Sequence, residues 1–138
     1  MSKPRVYLAG PWVEREKASE YATKLEASGF HITHKWWLYE GEDQDKEEPD
    51  FLENCANSDV KGVYTADVVI VINSVKSEGK AVETGLAIAK GIPICLIGKK
   101  SINIFYNLSY IAKVDTLEEA IEWATKQVGE LNGTAAKA

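Results

Sequence analysis

The sequence predicts a doubly wound α/β domain, with a five-stranded parallel sheet in the order 2-1-3-4-5 and helices on both faces. Three observations predict it. Strand-like and helix-periodic segments alternate along all 138 residues, the pattern of parallel strands joined by crossover helices. The run Val68-Val69-Ile70-Val71-Ile72 is β-branched throughout, as suits a strand buried on both faces. The length fits one domain, able to bury about two-thirds of its unfolded surface without a disulfide or metal staple.

The elements follow in order. Val6 to Ala9 is a β-rich run closed by the turn pair Gly10-Pro11. Ala18, Tyr21, Ala22 and Leu25 recur at helical spacing until Gly29 stops the helix. Phe30 to His34 reads as a second strand and is followed by a polar, acidic loop. Asp50 and Glu53, just after Pro49, read as the start of a helix with Phe51, Leu52, Cys55, Ala56 and Val63 on one face. Val68 to Ile72 is the third strand. A helix from about Ala81 to Lys90 comes next, ended by Gly91 and Pro93, and Ile94 to Ile97 is the fourth strand. Tyr110 to Val114 reads as the fifth, and Thr116-x-x-Glu119 as a capping box opening the last helix. The domain is expected over residues 1–131, with a small, polar, flexible tail over 132–138.

Sixteen basic and twenty-one acidic residues leave a net charge of −5. The segment Gly41 to Asp50 holds six acids and one base, Lys46, so it carries the whole imbalance. No basic stripe is left to track a polyanion, which argues against DNA or RNA polymers as partners. The longest wholly apolar run, Val68 to Ile72, is far too short to span a membrane. Cys55 and Cys95 stand far apart in apolar surroundings, as reduced thiols of a cytoplasmic protein would. Met1 to Arg5 runs directly into the first strand, leaving no room for a signal peptide.

In the order 2-1-3-4-5, ligands sit beyond the carboxyl ends of strands 1 and 3. That rule selects the loops Ala9 to Val13 and Asn73 to Lys80. Just beyond the second, Glu83 interrupts a helix that is otherwise apolar almost all round. A buried, unpaired carboxylate would cost several kcal/mol, so Glu83 is either a dipole-capping side chain on a solvated edge or an anion aimed at a cationic transition state. Asp59 follows Phe51, Leu52 and Cys55 on the apolar face of its helix, and reaches the same site only if that helix begins well above the sheet. Two carboxylates in one apolar pocket suit glycosidic chemistry, one facing an anomeric carbon and one handling the proton of the leaving group. Tyr7 could orient such a carboxylate, or simply pack within its strand.

Other signals point away from cofactors. His31 and His34 fall on opposite faces of a strand, with no cluster of ligands around them, so no metal site is expected. No Gly-x-Gly-x-x-Gly follows the first strand, and Gly91 to Ser101 has the wrong spacing for a phosphate-binding P-loop. Trp36 and Trp37 either pack in the core or wall a pocket for a planar base.

Tyr7-Leu8-Ala9-Gly10-Pro11-Trp12 resembles the opening of the nucleoside 2-deoxyribosyltransferase-like superfamily. Asn57-Ser58-Asp59 with Ala66-Asp67-Val68-Val69 resembles its mid-chain acid and following strand, and Ser77 to Ala87 resembles its signature around the catalytic glutamate. The ordered set spans roughly residues 5 to 98. The resemblance implies a flavodoxin-like fold, an enzyme without metal or organic cofactor, and a small-molecule nucleotide or nucleoside as substrate. It further implies Glu83 as nucleophile or oxocarbenium stabiliser, Asp59 as manager of the leaving-group proton, Tyr7 as the residue that positions Glu83, and Gly10 and Trp12 in substrate binding. Transferases of this superfamily tend to carry an aspartate where Ser77 stands here. Ser77 with Gly79 instead resembles the nucleotide 5′-monophosphate N-glycosidases, in which a hydroxyl and loop amides hold the phosphate, as a helix N-terminus physically suits. The expected reaction is therefore base release from a (deoxy)nucleoside 5′-monophosphate, with base exchange between deoxynucleosides and non-catalytic nucleotide binding as alternatives. The resemblance also implies a homo-oligomer, with Asn103 to Tyr106 serving a neighbouring site.

Overall fold

A computed structural model describes residues 2–39 and 48–137. The acidic segment expected as a loop lies mostly outside the described residues. Five parallel strands form one sheet: β1 (Arg5–Ala9), β2 (His31–Ile32), β3 (Val68–Ile72), β4 (Ile94–Ile97) and β5 (Ala112–Val114). Their order is β2-β1-β3-β4-β5, as the sequence predicts. Four helices connect or follow them: α1 (Arg15–Ala27), α2 (Pro49–Tyr64), α3 (Glu78–Lys90) and α4 (Leu117–Lys137). The helical backbone of α4 continues past residue 131, whereas the side chains of 131–138 lie outside the described residues.

Every residue of β3 is buried, as is β1 from Val6 to Ala9. The register sets Tyr7 beside Val69 and Ala9 beside Val71, so the carboxyl ends of β1 and β3 are neighbours. α2 and α3 pack together and both reach the ring or hydroxyl of Tyr7. α1 buries Ala18, Ala22 and Leu25, and Lys24 of α1 pairs with Glu118 of α4 at 3.9 Å. Gly91, at φ +73°, takes the left-handed cap of α3 that a side chain would resist.

Several local expectations need correction. β2 is two residues long rather than five, because the chain turns into a 3-10 turn at Trp36–Leu38. Glu48, not Asp50, precedes α2, with Pro49 in its first turn and no side-chain cap. Only Gly62 and Val63 of α2 are buried, so its expected apolar face is largely half-exposed. α3 begins at Glu78, three residues earlier than expected, because the Ser77 hydroxyl accepts the Lys80 amide at 3.3 Å. Nor is α3 a core helix all round: Val82 is 61% exposed, and the buried side is Lys80, Glu83, Thr84 and Ala87. Half of the expected capping box of α4 forms: Thr116 Oγ1 accepts the Glu119 amide at 3.2 Å, while the Glu119 carboxylate accepts from the Thr116 hydroxyl at 3.2 Å.

Candidate active site

Glu83 projects from the buried side of α3, 8% exposed, and its Oε2 accepts a hydrogen bond from the Tyr7 hydroxyl. Tyr7 is fully buried at the middle of β1. It is the one hydrogen-bond partner of Glu83 among the described residues. Burial pushes the Glu83 carboxyl up to about 8, since a single hydroxyl only partly replaces lost water.

Asp59 lies on α2 beside residues that follow β2. Its Oδ1 accepts from the Tyr39 hydroxyl at 3.2 Å and stands 3.4 Å from His34 Nε2. Burial raises this carboxyl to about 6, with the Tyr39 hydrogen bond acting in the opposite direction. Asp59 and Glu83 make no direct contact. They are joined through Gly62, where an added Cβ would lie 2.9 Å from both the Tyr7 ring and His34 Cβ. Only glycine lets α2 lie this close to β1, and that approach puts the two carboxylates on the same side of the sheet.

The remaining expected residues line the ends of β1 and β3. Gly10 sits where a Cβ would meet Ile72 Cδ1 at 3.2 Å and the Trp36 ring at 3.4 Å. Trp12 is half-buried, tilted 45° to Trp36 at 6.4 Å between centroids, with the Arg15 guanidinium 5.0 Å from its own ring centre. Trp36 and Trp37 are both buried, and Trp36 Nε1 donates to the Leu8 carbonyl at 2.7 Å, so these two belong to the core. Ser77 caps α3, a Cβ at Gly79 would meet only Ser77 Oγ, at 4.0 Å, and Glu78 is exposed.

Two described cavities flank α3 away from Glu83. One, of about 410 Å³, is lined by Ala81, Val82, Gly85, Ile88 and Phe105 among others. The other, of about 270 Å³, includes Ser77, Glu78, Lys80 and Tyr106. Neither takes in Glu83 or Tyr7.

Sequence reasoning missed three contributors. Lys80 is 1% exposed, with Nζ donating to the carbonyls of Val75 and, at 3.4 Å, Ile72. Burial lowers its pKa, and the nearby Glu14 carboxylate opposes that. A lysine in the first turn of a helix ordinarily reads as solvated, so no local signal marked it. His34 and Tyr39 were missed because their relation to Asp59 depends on how α2 docks. No group of metal-ligating side chains occurs among the described residues.

The sequence matches the family profile described as nucleoside 2-deoxyribosyltransferase over residues 6–128. No match is found among curated proteins. Three solved structures are similar. The CMP N-glycosidase BcmB of Clostridium botulinum is 23% identical, with a TM-score of 0.57 over 86% of this chain and 94% of that one. A conserved protein from Enterococcus faecalis V583 is 14% identical, with a TM-score of 0.64 over 91% and 99% of the two chains. BlsM, solved in solution, is 21% identical, with a TM-score of 0.65 over 95% of each. At these identities the likeness is one of fold.

Proposed function

The chain belongs to the nucleoside 2-deoxyribosyltransferase family, and from that premise we propose that it cleaves the N-glycosidic bond of a (deoxy)nucleoside 5′-monophosphate and releases the base. The observation that carries the reading is Glu83, a carboxyl buried against one hydroxyl donor. A group so desolvated gains most when a cation forms beside it. In the reaction the bond between the anomeric carbon and the base nitrogen breaks, and its electron pair leaves with the base. Asp59 gives its proton to that base, while ionised Glu83 captures or stabilises the oxocarbenium carbon and Tyr7 holds Glu83 in place. Water then completes hydrolysis. Of the two carboxyls, Asp59 at about 6 is the stronger acid and Glu83 at about 8 the weaker. The productive form, with Glu83 ionised and Asp59 protonated, is therefore a minor one that the developing cation favours.

Ser77 supports the monophosphate. Its Oγ accepts the Lys80 amide, which leaves the hydroxyl proton free to meet a phosphate oxygen at the N-terminus of α3. Glu78, the acid that would repel phosphate, is exposed. Gly10 and Trp12 would border the base, and Gly79 lets the phosphate approach the backbone. The same reading has a cytoplasmic homo-oligomer, with Ile104 and Phe105, 78% and 60% exposed, as apolar surface for a neighbour.

Incubation with a panel of nucleosides and 5′-monophosphates, with and without a free acceptor base, tests this reading chromatographically. Free base and a sugar 5-phosphate are expected from a monophosphate. A new nucleoside formed only with acceptor base would return base exchange to first place, and tight binding without turnover would leave a binding module.

A further inference from the structure

Asp59 ends in a small polar cluster that the reaction as written does not use. The titratable groups that meet there are His34, Tyr39, Cys55 and Asp59. The Tyr39 hydroxyl lies 2.6 Å from His34 Nε2, 3.2 Å from Asp59 Oδ1 and 3.1 Å from the Cys55 carbonyl. Two oxygen acceptors and the His34 Nε2, which donates or accepts according to its tautomer, thus surround a hydroxyl that has one proton to give. The state of His34 decides where that proton goes. With hydrogen on Nε2, the imidazole donates to Tyr39 Oη and leaves the phenol proton to Asp59 Oδ1 and the Cys55 carbonyl, of which the carboxylate, once ionised, is the stronger acceptor. With Nε2 bare, the closest contact draws the phenol proton to His34, and Asp59 loses its donor. Among the described residues Asp59 Oδ2 carries no partner.

We propose that His34 and Tyr39 are positioning residues for Asp59, forming the chain His34 Nε2–H to Tyr39 Oη–H to Asp59 Oδ1, which leaves Oδ2 to carry the proton for the departing base. This rests on Asp59 as the proton donor. The chain does more than hold a rotamer. A hydrogen bond to a carboxyl strengthens as that carboxyl becomes an anion, so the Tyr39 bond is stronger once Asp59 has given up its proton than before. It therefore favours the transfer itself. His34, by donating, removes itself as a competing acceptor for the Tyr39 proton. The ring of Tyr39 also packs edge-on to Phe51 of α2, at 6.2 Å between centroids, a contact that phenylalanine at position 39 would keep.

Tyr39→Phe, His34→Leu and His34→Gln test the chain, His34→Gln being the variant that retains an N–H donor. Turnover of a substrate with a poor leaving group is expected to fall about tenfold in kcat for Tyr39→Phe and His34→Leu. KM should hold steady, His34→Gln should recover much of the loss, and a substrate with a good leaving group should be spared. Carboxyl NMR titration of the free protein gives a readout that needs no substrate. The Asp59 pKa should rise in Tyr39→Phe and His34→Leu and lie near the wild-type value in His34→Gln. An Asp59 pKa unmoved in folded Tyr39→Phe overturns the chain, whatever turnover does. Equal losses for good and poor leaving groups overturn it as well. Asp59→Asn is the separate control: full activity there with a poor leaving group defeats Asp59 as the proton donor, and with it the catalytic meaning of the chain.

Discussion

Glu83 shows how one side chain links stability to chemistry. Its carboxyl is held at about 8 in the fold against 4.5 in the open chain, so the folded state grips the proton more tightly. That contribution to stability is fully present below pH 4.5 and is lost as pH rises through 8. For so buried a group it is on the order of a few kcal/mol. Between pH 6 and pH 8 the wild type should therefore lose stability to urea that Glu83→Gln does not lose, making the variant the more stable protein at the upper pH. Parallel curves would contradict the burial argument. The pair also predicts a rate profile. With carboxyls near 6 and 8, the singly protonated pair dominates between them, and kcat/KM should rise to about pH 6 and fall above about pH 8. A profile flat across that range would remove the two carboxyls from the rate-determining chemistry. Glu83 was legible in the sequence because an acid between Val82 and Leu86 contradicts its neighbours. Lys80 was not, because its partners are main-chain carbonyls of Ile72 and Val75, and carbonyls leave no mark in a sequence.

α2 and α3 are legible as helices, but their faces are only partly so. Gly62 inside a helix reads as a weak point, since alanine there would ordinarily help by about 0.5–1 kcal/mol. The 2.9 Å approach to Tyr7 and His34 reverses that sign, because overpacking costs roughly 1–3 kcal/mol. Gly62→Ala should lower the denaturation midpoint and reduce turnover together, by pushing α2 off the ring that holds Glu83. A stabilised, fully active variant would show that the approach is not needed. Ser77 has two separable duties at the start of α3. As the cap it is worth about 0.5–2 kcal/mol, and as a phosphate donor it should set substrate choice. Ser77→Ala should lose both. Ser77→Asp keeps a capping oxygen but brings a charge that repels phosphate, so it should hold its stability while losing preference for the monophosphate over the nucleoside. Unchanged preference in both variants would detach Ser77 from the phosphate.

At the scale of the molecule, the order β2-β1-β3-β4-β5 was legible because alternating strands and helices, with one wholly β-branched strand, admit few arrangements. The same order brings the ends of β1 and β3 together, which is why the loops Ala9 to Val13 and Asn73 to Lys80 could be singled out before any contact was visible; the roles proposed within them for Gly10, Trp12, Ser77 and Gly79 come from the family resemblance. What stayed hidden depends on docking rather than pattern: the shallow seating of α2, the exposed side of α3, and the cluster of His34 and Tyr39 on Asp59. Glu83 is the residue proposed to make this fold an enzyme of the glycosidic bond. The decisive assay follows release of free base from a 5′-monophosphate by chromatography, for wild type and Glu83→Gln at equal folded concentration. Base and sugar 5-phosphate are expected from the wild type, with a rate at least about 10²-fold lower in the variant; undiminished release by folded Glu83→Gln would remove Glu83 from the chemistry.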